Sequence, residues 1–224
     1  MTRPSRNLDR ALLAAGQALY PATGCAGLTI RQVAEAAGVN IGMFHYHFKT
    51  RDVFLRAVLQ ANYETLFAQL PVPPEAAAKA AHAPAPVVEL VRAGLRALGR
   101  WTLDNRAFMA RLVSDCVAGE PVARTFFAEN FPRHLGVMSQ LVARAQADGV
   151  FRPMPVSQAI AFCAGAISLP SLVLGAAVDS NEMSRARKRA LESEVLTHAA
   201  VDQRIELVIA ALTNPEAPRK KARP

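Results

Sequence analysis

The residues from Leu28 to Leu59, LTIRQVAEAAGVNIGMFHYHFKTRDVFLRAVL, constrain the fold more than any other stretch of the chain. Thr29 can cap a helix, because its hydroxyl accepts a free backbone N–H of the first turn. Ile30, Val33, Ala34 and Ala37 then recur at helical spacing and form one apolar stripe. Gly38 stands where such a helix ends, since glycine enters the left-handed conformation without a steric cost. Asn40 is a second cap candidate, one residue after Val39. The helix that follows runs to about Phe48 and is too short to stand alone in water. It must therefore pack one face. Phe44 and Phe48 project together and supply that face, while Gly42, Tyr46 and Lys49 fall opposite, flanked by Met43 and His45, with His47 at the edge. An ordinary solvated face would carry Glu, Lys and Arg. A glycine, imidazoles and a phenol facing outward instead predict a helix–turn–helix whose second helix enters a DNA major groove.

In Thr29, Val33-Ala34, Ala37-Gly38-Val39, Gly42, Phe44, Tyr46-His47-Phe48 and Thr50-Arg51, the chain resembles the TetR-type transcriptional regulators. It departs from that pattern at His45, where the family usually has tyrosine, and at Arg51, where it usually has lysine. In relatives those two positions typically touch phosphate. The DNA-binding candidates are thus Thr29, Arg31, Asn40, Ile41, Gly42, Met43, His45, Tyr46, His47, Lys49, Thr50 and Arg51. Tyr46 and His47 can donate to phosphates or base edges, and Arg31 can address a guanine bidentately or a phosphate. The resemblance further implies a body whose last two helices pair with those of a second subunit, and whose interior holds a small inducer.

The rest of the chain is read against that head. A net charge of +8 favours polyanionic partners, nucleic acid or an anionic membrane surface, without choosing between them. Cys25, Cys116 and Cys163 are far apart and odd in number, with no C-x-x-C, which indicates neither a disulfide framework nor a zinc ribbon. Free thiols fit a reducing cytoplasm, and the opening residues MTRPSRNLDR show no apolar signal region. Redox sensing through Cys116 or Cys163 stays open. His45 and His47 diverge on a helix and lack acidic or thiol neighbours, so no metal site and no cofactor is expected. No G-x-S-x-G, P-loop, G-x-G-x-x-G or H-E-x-x-H occurs, and the chain is not read as an enzyme.

The coarse organisation is helical throughout. Residues 1–6 form a basic arm. Leu8, Leu12, Ala15 and Leu19 trace a first helix ended by Pro21 and Gly24, with Cys25 in the following loop. Thr50 caps a helix reaching about Leu70, and 71–86, containing His82, is a loop or linker. Further helices are expected over Val87–Leu103, with Arg92, Arg96 and Arg100 along one side, and over Asn105–Ala118 and Val122–Ala147. Ala159 to Val178 carries no charge and has the length of a bilayer span. Ser168, Pro170 and Ser171 within it favour a helix buried on all sides and kinked at Pro170, with Ala164, Gly165 and Ala166 allowing close approach. A last helix is expected over Glu182–Leu212, followed by a basic tail.

The expected fold is all-α: a DNA-binding head at 1–54, an effector-binding and dimerising bundle at 55–213, and a disordered tail at 214–224. Trp101, Phe108, Met109, Phe127, Phe131, His134 and Phe162 are the candidate effector pocket, with Arg111 or Ser114 as further polar handles. The expected function is a dimeric, cytoplasmic, sequence-specific regulator on a palindromic double-stranded DNA operator, a repressor released by a small lipophilic molecule. A sequence-tolerant, nucleoid-type DNA binder without effector is the alternative. A membrane partner is not expected.

Overall fold

The computed structural model describes residues 5–69, 86–180 and 183–215. The first four residues of the basic arm, most of the 71–86 linker with His82, Glu182, and nearly all of the 214–224 tail lie outside the described residues, while Ser5 and Arg6 already belong to the first helix. What is described is helical, with a single isolated bridge between Phe151 and Thr213. The helices are α1 (Ser5–Gly27), α2 (Ile30–Ala36), α3 (Ile41–His47), α4 (Arg51–Phe67), α5 (Val87–Asp104), α6 (Arg106–Ala118), α7 (Pro121–Ala147), α8 (Val156–Ile167), α9 (Leu169–Asp179), α10 (Arg185–Glu194) and α11 (His198–Leu212). They fall into two compact units, residues 1–68 with 105–131, and residues 69–104 with 132–224. These units do not coincide with the functional segments expected from the sequence, because α4 and α6 both pack on α1.

In the first unit, α1 is the central element and touches α2, α4 and α6. Leu12 and Ala15 are buried with Phe54, Leu55, Val58 and Leu59 of α4. A side chain at Gly16 would meet Val58 Cγ2 at 2.6 Å and Phe54 Cζ at 2.7 Å, so only glycine lets the two helices come this close. Phe44, Phe48 and Phe54 form a ring cluster, with Phe54 4.9 Å from each of the other two. Such pairs add about 0.5–1.5 kcal/mol each beyond area burial, which matters for a helix as short as α3. Tyr63 of α4 stands edge-on to Phe126 and donates its hydroxyl to Asn130 O at 2.9 Å.

The first helix does not stop at Pro21. It continues past that residue and breaks at Gly24, whose φ of 64° needs glycine. Cys25 is consequently not in a loop but in the last turn, 1% exposed. The break frees its N–H from the helix ladder, and that N–H donates to Asp115 Oδ2 of α6 at 2.7 Å. Tyr20 donates its hydroxyl to the same oxygen at 2.8 Å. Arg111, expected as a polar handle of a pocket, instead donates from Nε to Pro21 O at 3.2 Å and from Nη2 to Ala22 O at 3.4 Å, capping carbonyls that the break leaves open. Ser114 is exposed.

The second unit has its own core, with Val91, Leu95, Val137, Leu141, Val142, Phe151, Ile167, Val201, Ile205 and Val208 at its centre. Helix α11 lies along α5 and α8. The α5 arginines are not a bare basic face. Arg92 reaches Glu89 at 2.5 Å and Glu206 at 2.8 Å, while Arg96 and Arg100 share Asp202 at 3.2 and 2.5 Å. Partly exposed pairs of this kind contribute little individually, about 0–1 kcal/mol.

Two expected single helices are each divided. The uncharged run is kinked at Ser168, between α8 and α9, as expected of Pro170, which lacks the N–H that would continue the ladder; Ser168 keeps helical angles and Leu172 N–H still reaches Ser168 O at 3.2 Å. It is also not buried on all sides: over Val156–Asp179 the most apolar window is 28% buried, and Phe162, Leu169 and Val173 are 45%, 53% and 56% exposed. By length and composition alone this stretch could cross a membrane. The last helix is interrupted between Glu194 and His198, where Thr197 accepts the N–H of Ala200 at 3.1 Å and starts α11 afresh. Arg204 Nη1 satisfies the Val195 carbonyl left at the break.

Candidate nucleic-acid interface

The helix–turn–helix is built by three local caps. Thr29 Oγ1 accepts the N–H of Gln32 at 3.2 Å, and the Gln32 side chain accepts the Thr29 N–H at 2.9 Å, a reciprocal capping box. The α2 stripe buries Val33 and Ala34. Gly38, at φ 65°, turns the chain, and Asn40 Oδ1 accepts the N–H of Gly42 at 2.8 Å to start α3. Thr50 Oγ1 accepts the N–H of Val53 at 3.2 Å to start α4. Thr29, Asn40 and Thr50 therefore have structural work that fixes the entry angle of each helix.

Phe44 is fully buried and orients α3. Ile41, Met43 and Tyr46 stand out at 48%, 36% and 77% exposed. Gly42, His45 and Lys49 are exposed beside them, and Arg31 is exposed on α2. These residues form one outward surface of a phenol, an imidazole, two cations, two apolar side chains and a gap. Its chemistry suits the edges and phosphates of a duplex.

Two candidates are placed otherwise than expected. The His47 side chain is 5% exposed and turned inward, with Nδ1 2.5 Å from Asp9 Oδ1 of α1. Its Nε2 is buried without a hydrogen-bond partner. Arg51 is half-buried and donates from Nε to Leu28 O at 2.7 Å, so its guanidinium braces the start of the motif.

The effector candidates are shared between the two units. Phe108, Met109, Phe127 and Phe131 belong to the first unit, and Trp101, His134 and Phe162 to the second. Phe108 packs on Tyr20 at 4.6 Å as core, and Phe127 stacks on Phe131 at 4.2 Å. Phe162 is exposed on α8. His134 is 7% exposed, and burial lowers its imidazole to about 4. An open depression of 580 Å³ lies instead on Arg96, Asp202, Gln203, Glu206 and Leu207.

Among the described residues no group of three or more His, Cys, Asp and Glu could hold a metal ion. The thiols are poorly suited to redox chemistry, for which the thiolate is the reactive form. Burial pushes Cys25 up to about 12 and Cys163 up to about 11, and raises Cys116 as well.

Residues 12–58 match the model of the bacterial regulatory proteins of the tetR family. That span contains α2, α3 and the three caps. Over that span the chain carries the DNA-binding domain of the tetR family. Solved structures share the fold at low identity. One assigned as a TetR-family transcriptional regulator from Mesorhizobium loti is 16% identical, with a TM-score of 0.64, covering 96% of this chain and 100% of its own. A Clostridium perfringens protein described as a fatty acid metabolism regulator is 15% identical, with a TM-score of 0.67, covering 91% and 99%. The superantigen PfiT is 19% identical, with a TM-score of 0.65, covering 96% and 100%. The same fold thus carries differently described proteins, and the likeness stands for the fold alone. No curated protein matches the sequence. Helices α2 and α3 are the helix–turn–helix of this tetR-type head.

Sequence reasoning missed Asp9 and Asp115. Asp9 carries no local signal. Asp115 does: it lies three and seven residues after Leu112 and Phe108, on the buried stripe of α6, where a carboxylate is out of place unless it has donors.

Proposed function

We propose that this chain works as a cytoplasmic homodimer that binds a palindromic operator, represses transcription, and is released by a small apolar molecule. The outward surface of α3 carries the DNA part of this reading. Two such surfaces, presented about one helical turn apart or a multiple of it, would occupy successive major grooves on one side of a duplex. The uncovered side of α8 and α9 supports the dimer, because Phe162, Leu169 and Val173 would lose their water contact against a second copy. The small residues Ala164 and Gly165 are exposed on the same helix and permit close approach. An effector need only favour a dimer whose heads are wrongly spaced, and DNA then weakens effector binding by the same factor. No enzymatic role, metal or membrane attachment is part of the proposal.

Selection from random duplexes with the purified protein, followed by footprinting on the enriched site, tests the reading. A protected pair of inverted half-sites is the expected result. Equal affinity for enriched and random DNA at fixed salt would instead favour the sequence-tolerant binder. A thermal-shift screen with apolar aromatics and acyl chains tests the effector.

A further inference from the structure

The chemistry of the exposed α3 side chains says what kind of base edge they can read. Between Ile41 and His47 there is no Arg, Lys, Asn, Gln, Asp or Glu. The arginine or lysine pair to guanine, the amide pair to adenine and the carboxylate contact to cytosine are therefore not available from this helix. Its first and third residues, Ile41 and Met43, are instead large apolar side chains left 48% and 36% exposed. Between them Gly42 presents no side chain. Among the described residues nothing packs over that glycine: an added Cβ would meet only Asn40 Oδ1, at 3.3 Å. The gap is open towards the outside, and it lets the flanking apolar groups reach a surface. The one apolar feature on a major-groove edge is the 5-methyl group of thymine.

We propose that α3 reads thymine through its 5-methyl group, with Ile41 and Met43 as the specificity-determining residues. The inference rests on the DNA-binding reading above and names the base class within each half-site. Tyr46 and His45, one turn further along, can each add a single hydrogen bond and do not replace the methyl contact. Arg31 stands on α2 and reads separately.

The test uses the full-length protein and the site enriched from random duplexes. Each thymine of that site is replaced in turn by deoxyuridine, which removes the methyl and keeps the pairing. Binding is titrated at fixed salt with wild type, Ile41→Ala and Met43→Ala. Loss of about fourfold in affinity at one or more thymines of each half-site is expected, the worth of one buried methyl-sized group. In Met43→Ala or Ile41→Ala the same deoxyuridine should no longer matter. A flat deoxyuridine scan with wild type overturns the inference, whatever the variants do. A loss that persists unchanged in both variants overturns the assignment to α3. Failure to enrich any site would defeat the regulator reading itself, and this inference with it; an enriched site without methyl sensitivity defeats the inference alone.

Discussion

His47 Nδ1 lies 2.5 Å from Asp9 Oδ1, and this pair ties the last residue of α3 to the first helix of the head. The orientation of α3 is set at one end by the Asn40 cap, in its middle by Phe44, and at the other end by His47. The imidazole is almost wholly buried, so on the proposed function its effect on DNA binding would run through the pose of α3 rather than through a phosphate contact. His47→Ala and Asp9→Ala should each lower stability and operator affinity, and a double-mutant cycle should show coupling of about 1 kcal/mol. The salt dependence of binding should not change in His47→Ala, because no phosphate contact is lost. A salt slope flattened by one unit would place His47 on the backbone instead.

The two arginines of the motif should separate. Arg51 donates to Leu28 O and is half-buried, whereas Arg31 is exposed. Arg51→Ala should lower the unfolding free energy by about 1–2 kcal/mol, since it leaves a carbonyl unsatisfied. Arg31→Ala should leave the melt unchanged and cost about 1–3 kcal/mol on the enriched site. Urea melts and DNA titrations of both variants check this, and equal melts would deny Arg51 its bracing role.

Because the uncovered side of α8 and α9 is already solvent-exposed in a single chain, a charge placed there need not disturb the protomer. Ala164→Glu and Val173→Glu should keep their helical content and sediment as monomers at micromolar concentration, where wild type sediments as a dimer. The penalty arises only on association, when the carboxylate would be buried unpaired. A dimer surviving both substitutions would move the interface elsewhere.

His134 gives the fold a pH dependence. Burial lowers its imidazole to about 4, against about 6.5 in an unfolded chain. Between those values the unfolded state binds the proton and the folded state does not, so stability is complete above pH 6.5 and falls as the pH drops towards 4. The full effect is about 3 kcal/mol. Urea denaturation between pH 7.5 and 5 should show the early part of this decline, and His134→Leu should flatten it whatever its stability at neutral pH. An unchanged slope in His134→Leu would assign the decline to other groups.

What could be read in advance was local. Thr29, Asn40 and Thr50 announce their helices by residue type and by the apolar spacing that follows, and all three cap as expected. Pro170 announced a kink, and the helix is interrupted at Ser168 while the backbone there keeps right-handed helical angles. The break before Thr197 was hidden, because Val195 and Leu196 continue the apolar spacing of the helix they interrupt. Contacts between distant segments left little trace. His47 looked like part of an outward face because helical geometry puts it at the edge, and only Asp9 on another helix decides which way it turns. The pocket candidates were read from aromatic content, which marks buried helices and not which residues of separate helices meet.

Gly42 separates folding from DNA binding. Glycine inside a helix costs about 1 kcal/mol relative to alanine, and among the described residues nothing demands it here except the nearby Asn40 cap oxygen. A Cβ would press on that oxygen at 3.3 Å, and the exposed Asn40 side chain can shift to admit it. The helix gain and the weakened cap then roughly offset, each being about 1 kcal/mol. Gly42→Ala and Gly42→Leu should therefore melt within about 1 kcal/mol of wild type. Their DNA binding should differ. Alanine adds one methyl and should cost a modest fraction of operator affinity. Leucine would hold α3 away from the groove, stretching the contacts of Ile41, Met43 and Tyr46 together, and should abolish most of the preference for the enriched site. Circular dichroism melts and titrations on enriched and random duplexes measure both halves. Full operator affinity in Gly42→Leu would remove this face of α3 from the groove.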